Sequence, residues 1–489
     1  MRKKHSLKFW FGFWFISALL LFGWYIFLEY KNNNYLGLVS FVKPVVNVLP
    51  LSNVHKTELT GVMNIVESLS QKKESTFLLL FQNNNELRPG GGYIGSFGIM
   101  KIKDGKIVFA DSHNTNVFDS GSSSQIAPPK PMQDMLGIKD WELRDSNWSP
   151  DFPINAQRAE YFYHLEGGQE KIDGVIALST ELLPSFLEVI GSIKVDGYPG
   201  IYNSDNVIEQ LEYQVEKGYY DQGIEKGKRK YIMKKMFKAI VQKAQELDWS
   251  QKKQLLSKIE QHLNRKDVML YFANKDLQAK VEKLGWAGEV RQNISGDYLM
   301  MVDANLGSRK SDAVMKRRFE YIVDFRRKRP AVRLKITYTH QGTVRDLLTE
   351  DYRTYLRIFV PDKSWLYDTD GLEGLEFVDF DKAMGKKSFG VLHQIQLGKT
   401  KTVEFDYYLP ETITFDNYQL FIQKQPGIDK LQGKVKVIDK MGDMKQYTVD
   451  SDRDVKIIIG SKKDQKQEQK TFQKDKTVSV ATFVDVENF

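Results

Sequence analysis

The 489 residues contain no cysteine. That excludes a disulfide framework, a thiolate nucleophile and a cysteine-ligated metal. Histidine is scarce, with seven in the chain, and no two stand at a metal-ligand spacing. No G-x-S-x-G elbow and no G-x-x-x-x-G-K-[ST] loop is present, which excludes the usual serine-hydrolase and phosphate-loop chemistries. No tandem repeat is seen, and no long apolar run occurs beyond the first thirty residues.

The one long apolar run is Phe9 to Leu28, "FWFGFWFISALLLFGWYIFL", which carries no charge. About 20 such residues cross a ~30 Å hydrocarbon core as a helix. Trp10, Trp14, Trp24 and Tyr25 suit interfacial belts, and Arg2, Lys3, Lys4 and Lys8 precede the run. The excess of positive charge before it predicts a cytoplasmic N-terminus and a bulk lying outside the membrane. A cleaved signal would end in small residues, and "GWYIFLEYKNNN" has no such site. The expectation is a single-pass cell-membrane protein: stub 1–8, transmembrane helix 9–28, connector 29–51.

Net charge is +8, with basic runs at Lys226–Lys238 and at Arg326–Arg329. Outside a membrane such runs suit anionic headgroups or polymers, not nucleic acid. A solvated face is the commonest account of either.

Periodicity divides the remainder, for which about three domains is the prior. Residues 52–312 read as an α/β domain. An amphipathic helix at 52–71 is followed by the buried strand "TFLLLF", a hairpin turning at Asp104-Gly105, the helix opened by Pro153, and the strand "DGVIALS". A lysine- and glutamine-rich stretch, about 204–284, reads as a helical insertion. Residues 313–460 alternate apolar and polar in short runs, as in "FEYIVDF" and "VRLKITYTH", and predict a β-sandwich-like domain. The polar tail 461–489 predicts disorder. The fold class is thus α/β, with a transmembrane helix before it and a β-sandwich-like domain after it.

Two stretches carry candidate chemistry. "NNNELRPGGGYIGS", residues 83–96, lies between two apolar strands and reads as a loop. Gly90, Gly91 and Gly92 allow close backbone approach, successive N–H groups make anion cradles, and Arg88 offers a planar fork to phosphate. Asn83 and Asn84 complete a polar lining. The other account is a tight glycine turn with Arg88 tied to a carboxylate such as Glu86 or Asp151. In "RDSNWSPDFPINAQR", Asp145 and Asp151 are candidate Mg²⁺ ligands, with Arg144 and Arg158 facing a phosphate. Equally, Asp151 suits a helix cap and Asp145 a turn.

"NNNELRPGGGYIGSFG", "DSNWSPDFPINAQRAEYFY", "IDGVIALST", "GWAGEV", "DANLGSRKSD" and "YRTYLRIFVP" occur in an order that resembles the bacterial family called domain of unknown function 4012, over about residues 75–362. That resemblance implies a membrane-anchored envelope protein with α/β and β-rich parts outside. More distantly, the order of anchor, first strand, hairpin, helix and "IDGVIALST" is similar to LytR-CpsA-Psr phosphotransferases. Those enzymes transfer a glycopolymer from a polyprenyl pyrophosphate carrier to peptidoglycan, with arginines on the pyrophosphate and acidic residues on Mg²⁺. On that resemblance Arg88, Asp111 and Arg158 are the catalytic candidates, with Asp111 at the end of "KIVFAD". The family's proline-arginine before this aspartate is replaced by Phe109-Ala110, and its arginine-rich C-terminal segment has no clear counterpart here. The alternative is a non-catalytic binding or structural protein of the envelope.

Overall fold

A computed structural model describes residues 60–484 apart from 62, 66, 69–71, 73, 104, 105, 123, 124, 347, 373–383, 460–476 and 481. The expected span Phe9–Leu28 and connector 29–51 lie outside the described residues. Among those described, no helix is long and apolar enough to cross a membrane. Two compact units are present. One comprises Met1–Ser75 with Lys101–Val108, and its described residues between 60 and 68 are helical. The other comprises Thr76–Met100 with Phe109–Phe489, and the site lies in it.

The first sheet has the order β3-β2-β1-β4-β5, with β1 Glu74–Arg88, β2 Gly91–Lys103, β3 Lys106–Asn114, β4 Gly174–Ser179 and β5 Val268–Phe272. β1 runs parallel to β4, and β5 is antiparallel to β4. Phe77, Leu78, Leu79 and Leu80 are all buried, as a central strand covered on both faces requires. Short helices α1 Thr115–Asp119 and α2 Lys130–Leu136 follow the hairpin.

Helix α3, Phe152–Leu165, covers one face. It starts where expected: Asp151 accepts the main-chain N–H of Ile154, and Pro153 stands in the first turn. Leu78, Leu80, Ile94 and Phe97 pack there with Ala156, Ala159 and Phe162. The helices α4 Leu182–Ile190, α5 Val207–Tyr213, α6 Tyr231–Glu246 and α7 Trp249–Arg265 share a second core. α6 meets the opposite sheet face, with the Phe237 ring edge-on to Phe81 at 5.6 Å.

The sheet reaches into the stretch expected to be a helical insertion. β5 and α8 Lys275–Lys283 belong to the α/β layer, so the helices of the insertion end at Arg265. The amphipathic pattern of α8 matches that of an inserted helix, which is why sequence periodicity did not separate them.

The β-rich part begins earlier than residue 313. Its sheets have the orders β10-β12-β8-β7-β14-β15-β18 and β11-β9-β6-β13-β16-β17. Strand β6, Asp297–Asn305, lies inside the second sheet between β9 and β13. The first sheet holds β7 Met315–Asp324, β8 Ala331–His340, β10 Trp365–Asp370, β12 Thr400–Tyr408, β14 Leu431–Ile438, β15 Met444–Ser451 and β18 Thr482–Val484. The second adds β9 Tyr352–Pro361, β11 Lys386–Ile395, β13 Gln419–Gln423, β16 Asp454–Ile458 and β17 Val478–Val480. One core takes side chains from both sheets, among them Tyr321 and Phe405 from the first and Ile358 and Val391 from the second. Two strands of the expected polar tail, β17 and β18, are thus paired, their "VSV" and "TFV" being apolar enough to extend each sheet.

Candidate functional site

Residues 83–96 are not a loop. β1 continues through Asn83, Asn84 and Asn85 to Arg88, and β2 starts at Gly91. The reversal is made at Pro89-Gly90, where the Gly90 N–H donates to the carbonyl of Asn147 at 3.0 Å. The glycines are required by crowding. A Cβ on Gly90 would lie 2.2 Å from the Asn155 side chain, one on Gly91 2.1 Å from that of Gln82, and one on Gly92 2.3 Å from the backbone of Asn83. Gly91 also has a φ of 128°, in the region that favours glycine. Glycine and asparagine weaken a strand pattern, which is why the sequence reads as a loop. The anion cradle expected at Gly90–Gly92 is filled by protein atoms.

Arg88 is 2% exposed, not at a solvent-facing pocket. Its Nη1 donates to the carbonyl of Asn305 at 2.7 Å, its Nη2 to Glu86 at 2.9 Å and its Nε to Asp145 at 3.4 Å. Its own carbonyl accepts from Gln425 at 3.1 Å. Burial works against its charge, but Glu86 and Asp145 outweigh it and raise its pKa above the usual value. The guanidinium is therefore engaged on every side and ties β1 to the β-rich part.

Arg144 stands on the far side of Asp145. It pairs with Glu142, and its Nε lies 3.7 Å from both Asp145 and Asp119. Burial and the neighbouring Glu166 carboxyl push Asp119 up to about 9. Arg144 retains about a quarter of its side-chain exposure (27%), so it can meet a ligand where Arg88 cannot.

The other candidates divide. Asp151 spends both oxygens on main-chain N–H groups, one to Ile154 at 3.2 Å and the other to Val290 at 3.0 Å. It is a helix cap and a tie, and no group of three acidic or histidine side chains among the described residues has the arrangement to hold a metal. Asp145 and Asp151 do not fit Mg²⁺ as a pair, and no step below uses a metal. Arg158 donates to the carbonyl of Ser146 at 3.1 Å and lies over the Trp141 ring at 4.5 Å, bracing the segment that carries Arg144. Asn84 bonds Thr180 and Glu181, Asn83 turns inward to the N–H of Asn85, and Asn85 donates to Glu212. Asp111 binds the Lys234 amine at 2.7 Å.

That last contact leads to residues that sequence reasoning missed. Lys234 and Lys230 are four apart at the start of α6 and so share a helix face. The Lys230 amine donates to the carbonyl of Gly95 at 2.7 Å and lies 5.8 Å from the Tyr93 ring. The Arg88 guanidinium is 5.4 Å from that same ring. Burial, and then the adjacent Arg229, lower Lys230 to about 8. No described carboxylate forms an ion pair with it, whereas Arg229 and Lys234 each have one and Lys310 has two. Burial, then Asp145 and Glu86, raise the Tyr93 hydroxyl above its usual range, and that hydroxyl donates to Asn116 at 2.6 Å. A chain of contacts thus runs Arg144–Asp145–Arg88–Tyr93–Lys230, with Asp111–Lys234 one helical turn on. A lysine-rich run reads as a solvated face. The signal was the apolar Ile232 two residues after Lys230, whose full burial draws the start of the helix, and the amine with it, toward the sheet.

Residues 72–215 match the model of a family described as Protein of unknown function (DUF4012). No curated protein matches the sequence. Among solved structures the chain is similar to protein gbs0355 from Streptococcus agalactiae, at 13% identity, with 45% of this chain and 75% of that one covered and a TM-score of 0.28. It is similar also to Lin1025 from Listeria innocua, at 12% identity over 47% and 86% of the two chains, TM-score 0.23. A third is TagV from B. subtilis, at 11% identity over 48% and 88%, TM-score 0.25.

Proposed function

We propose that the protein is held in the cell membrane by Phe9–Leu28, with its bulk outside. There it binds the phosphate end of a polyprenyl pyrophosphate-linked glycopolymer where α6 meets β2. In the manner of LytR-CpsA-Psr enzymes, a peptidoglycan hydroxyl attacks the phosphorus that bears the polymer, breaking the pyrophosphate bond and releasing polyprenyl phosphate. The carrying observation is the Lys230 amine, which is partly buried beside Tyr93 and lacks a carboxylate partner among the described residues. Glu216 and Glu86 act on it only without direct pairing, and a bound phosphate would add a counter-charge in contact with the amine. In this reading Lys230 and Arg144 contact the phosphate. Asp111, positioned by its ion pair with Lys234, accepts the proton of the attacking hydroxyl. Arg88 and Arg158 are positioning residues. Phosphoryl transfer suits such a site, because positioning and charge neutralisation carry most of its catalysis.

The test is titration of the full-length protein in detergent with geranylgeranyl pyrophosphate, beside a Lys230→Met variant. The expected result is saturable binding weakened at least about tenfold by the substitution, or about 1.4 kcal/mol, with the melting temperature unchanged. Equal affinity in the two proteins would overturn the reading. A second reading, a non-catalytic envelope protein, is favoured by the engagement of Arg88 and the filled glycine turn. It predicts no polymer transfer to peptidoglycan by the purified protein even where the lipid binds.

A further inference from the structure

The outer face of the seven-stranded sheet ends in exposed aromatic rings at its edge. β10 pairs with β12, placing Trp365 opposite Tyr408, and a bulge falls between Leu366 and Asp368. The Tyr367 ring stacks on Tyr408 with centroids 4.5 Å apart and planes at 29°. Phe405 and Tyr407 are fully buried, so Asp406 and Tyr408 lie on the opposite face of the sheet, where Asp406 is buried beneath Arg333. Trp365 is 62% exposed and Tyr367 46%. Arg327 donates to the Tyr408 hydroxyl at 3.3 Å, and the Arg329 guanidinium lies 5.9 Å from that ring. Large rings gathered on an edge strand, rimmed by polar groups, mark an interaction site.

We propose that Trp365, Tyr367 and Tyr408 form a binding platform for a neutral pyranose glycan. A pyranose ring carries its C–H groups on its faces and its hydroxyls around its rim. The faces lie against flat aromatic rings, while Arg327 and Asp368 stand within the same step to meet the hydroxyls. The surrounding charge argues for a neutral occupant. Around the step, Arg326 pairs with Asp324, Lys328 with Glu411, Arg333 with Asp406 and Lys335 with Glu404, while β10 itself carries Asp368 and Asp370. Arg327 and Arg329 form no ion pair with a described carboxylate, but they are engaged by the Tyr408 hydroxyl and by the main-chain oxygens of Leu409 and Lys363. With Asp368 and Asp370 beside them, the step carries no large excess of positive charge to draw an anionic bilayer. The platform lies in the β-rich part and does not rest on the phosphate site at Lys230.

The test is calorimetric titration of the full-length protein in detergent with cellohexaose, maltohexaose and hexa-N-acetylchitohexaose, with phosphatidylglycerol vesicles as the membrane control. Saturable binding of at least one hexasaccharide is expected. Trp365→Ala should weaken it by about tenfold or more, Trp365→Phe should retain most of it, and neither should move the melting temperature. Three results would each overturn the proposal. These are no binding of any of the three sugars, equal affinity in wild type and Trp365→Ala, or binding of vesicles alone that is lost in that variant.

Discussion

The Arg88 guanidinium donates to the main-chain oxygen of Asn305 at 2.7 Å, 217 residues along the chain. Asn305 ends β6 and Arg88 ends β1, so one buried side chain closes the contact between the α/β layer and the β-rich part. The adjacent Leu87 N–H donates to Asp312 at 3.0 Å, and the Arg88 carbonyl takes the Gln425 amide. This arginine therefore acts on stability before it acts on any ligand.

Arg88→Met should cost about 3–5 kcal/mol, the range for removing one partner of a buried ion pair. Glu86 would lose its paired charge, and Asp145 would keep only Arg144 at 3.7 Å. Denaturant unfolding of the full-length protein should show the midpoint fall. An unchanged midpoint would mean that Arg88 is not a strut.

Gly91→Ala should destabilise by about 1–3 kcal/mol, as overpacking does. Its Cβ would meet the Gln82 side chain at 2.1 Å, on a backbone with φ of 128°. Prenyl pyrophosphate affinity, measured below the melting temperature, should stay within about twofold, since the turn binds no anion; about 1.4 kcal/mol would be needed for tenfold. A large loss of affinity with no loss of stability would restore the anion cradle.

A fragment spanning residues 313–460 should not fold. It lacks β6, whose Asp297 accepts the hydroxyls of Tyr321 at 2.5 Å and Tyr418 at 2.6 Å, and it lacks β17 and β18. Native-like near-ultraviolet circular dichroism from that fragment would count against the place of β6 between β9 and β13.

Asp297 also sets a pH dependence. Burial raises it to about 6, against the hydrogen bonds of Tyr321 and Tyr418. Its folded pKa lies above the unfolded value near 3.9. The folded state therefore holds the proton more tightly, and this contribution is complete below about pH 4 and lost as pH rises through 6. Its size is about 3 kcal/mol, at 1.36 kcal/mol per unit over roughly two units. Asp297→Asn should flatten the change in unfolding free energy between about pH 4 and 6. An identical slope in wild type and variant would show that another group carries it.

Much of this was legible in the sequence, and the misses have physical causes. "FLLLF" read as a buried strand because five apolar residues need cover on both faces. Asp151 and Pro153 marked the start of α3 because capping chemistry is local. Arg88 to Asn305 was not legible, because nothing near "NNNELR" announces a partner in β6. β6 falls within 52–312, the stretch that reads as the α/β domain, yet it pairs in the β-rich part, since an apolar pattern gives a strand and not its neighbours. Lys230 was hidden in a basic run, where only the packing of α6 onto β2 separates a buried amine from solvated ones.

The proposed function turns on Lys230, not Arg88, seating the phosphate. Its amine is lowered to about 8 by burial and by Arg229, so it is charged below that pH and neutral above. The decisive quantity is the dissociation constant of geranylgeranyl pyrophosphate from about pH 7 to pH 9.5, for wild type and for Lys230→Arg, which stays charged throughout. Wild-type affinity should fall as pH rises through about 8 to 9, while the arginine variant holds its affinity across the range. The same pH profile in both proteins would contradict a phosphate seat at Lys230.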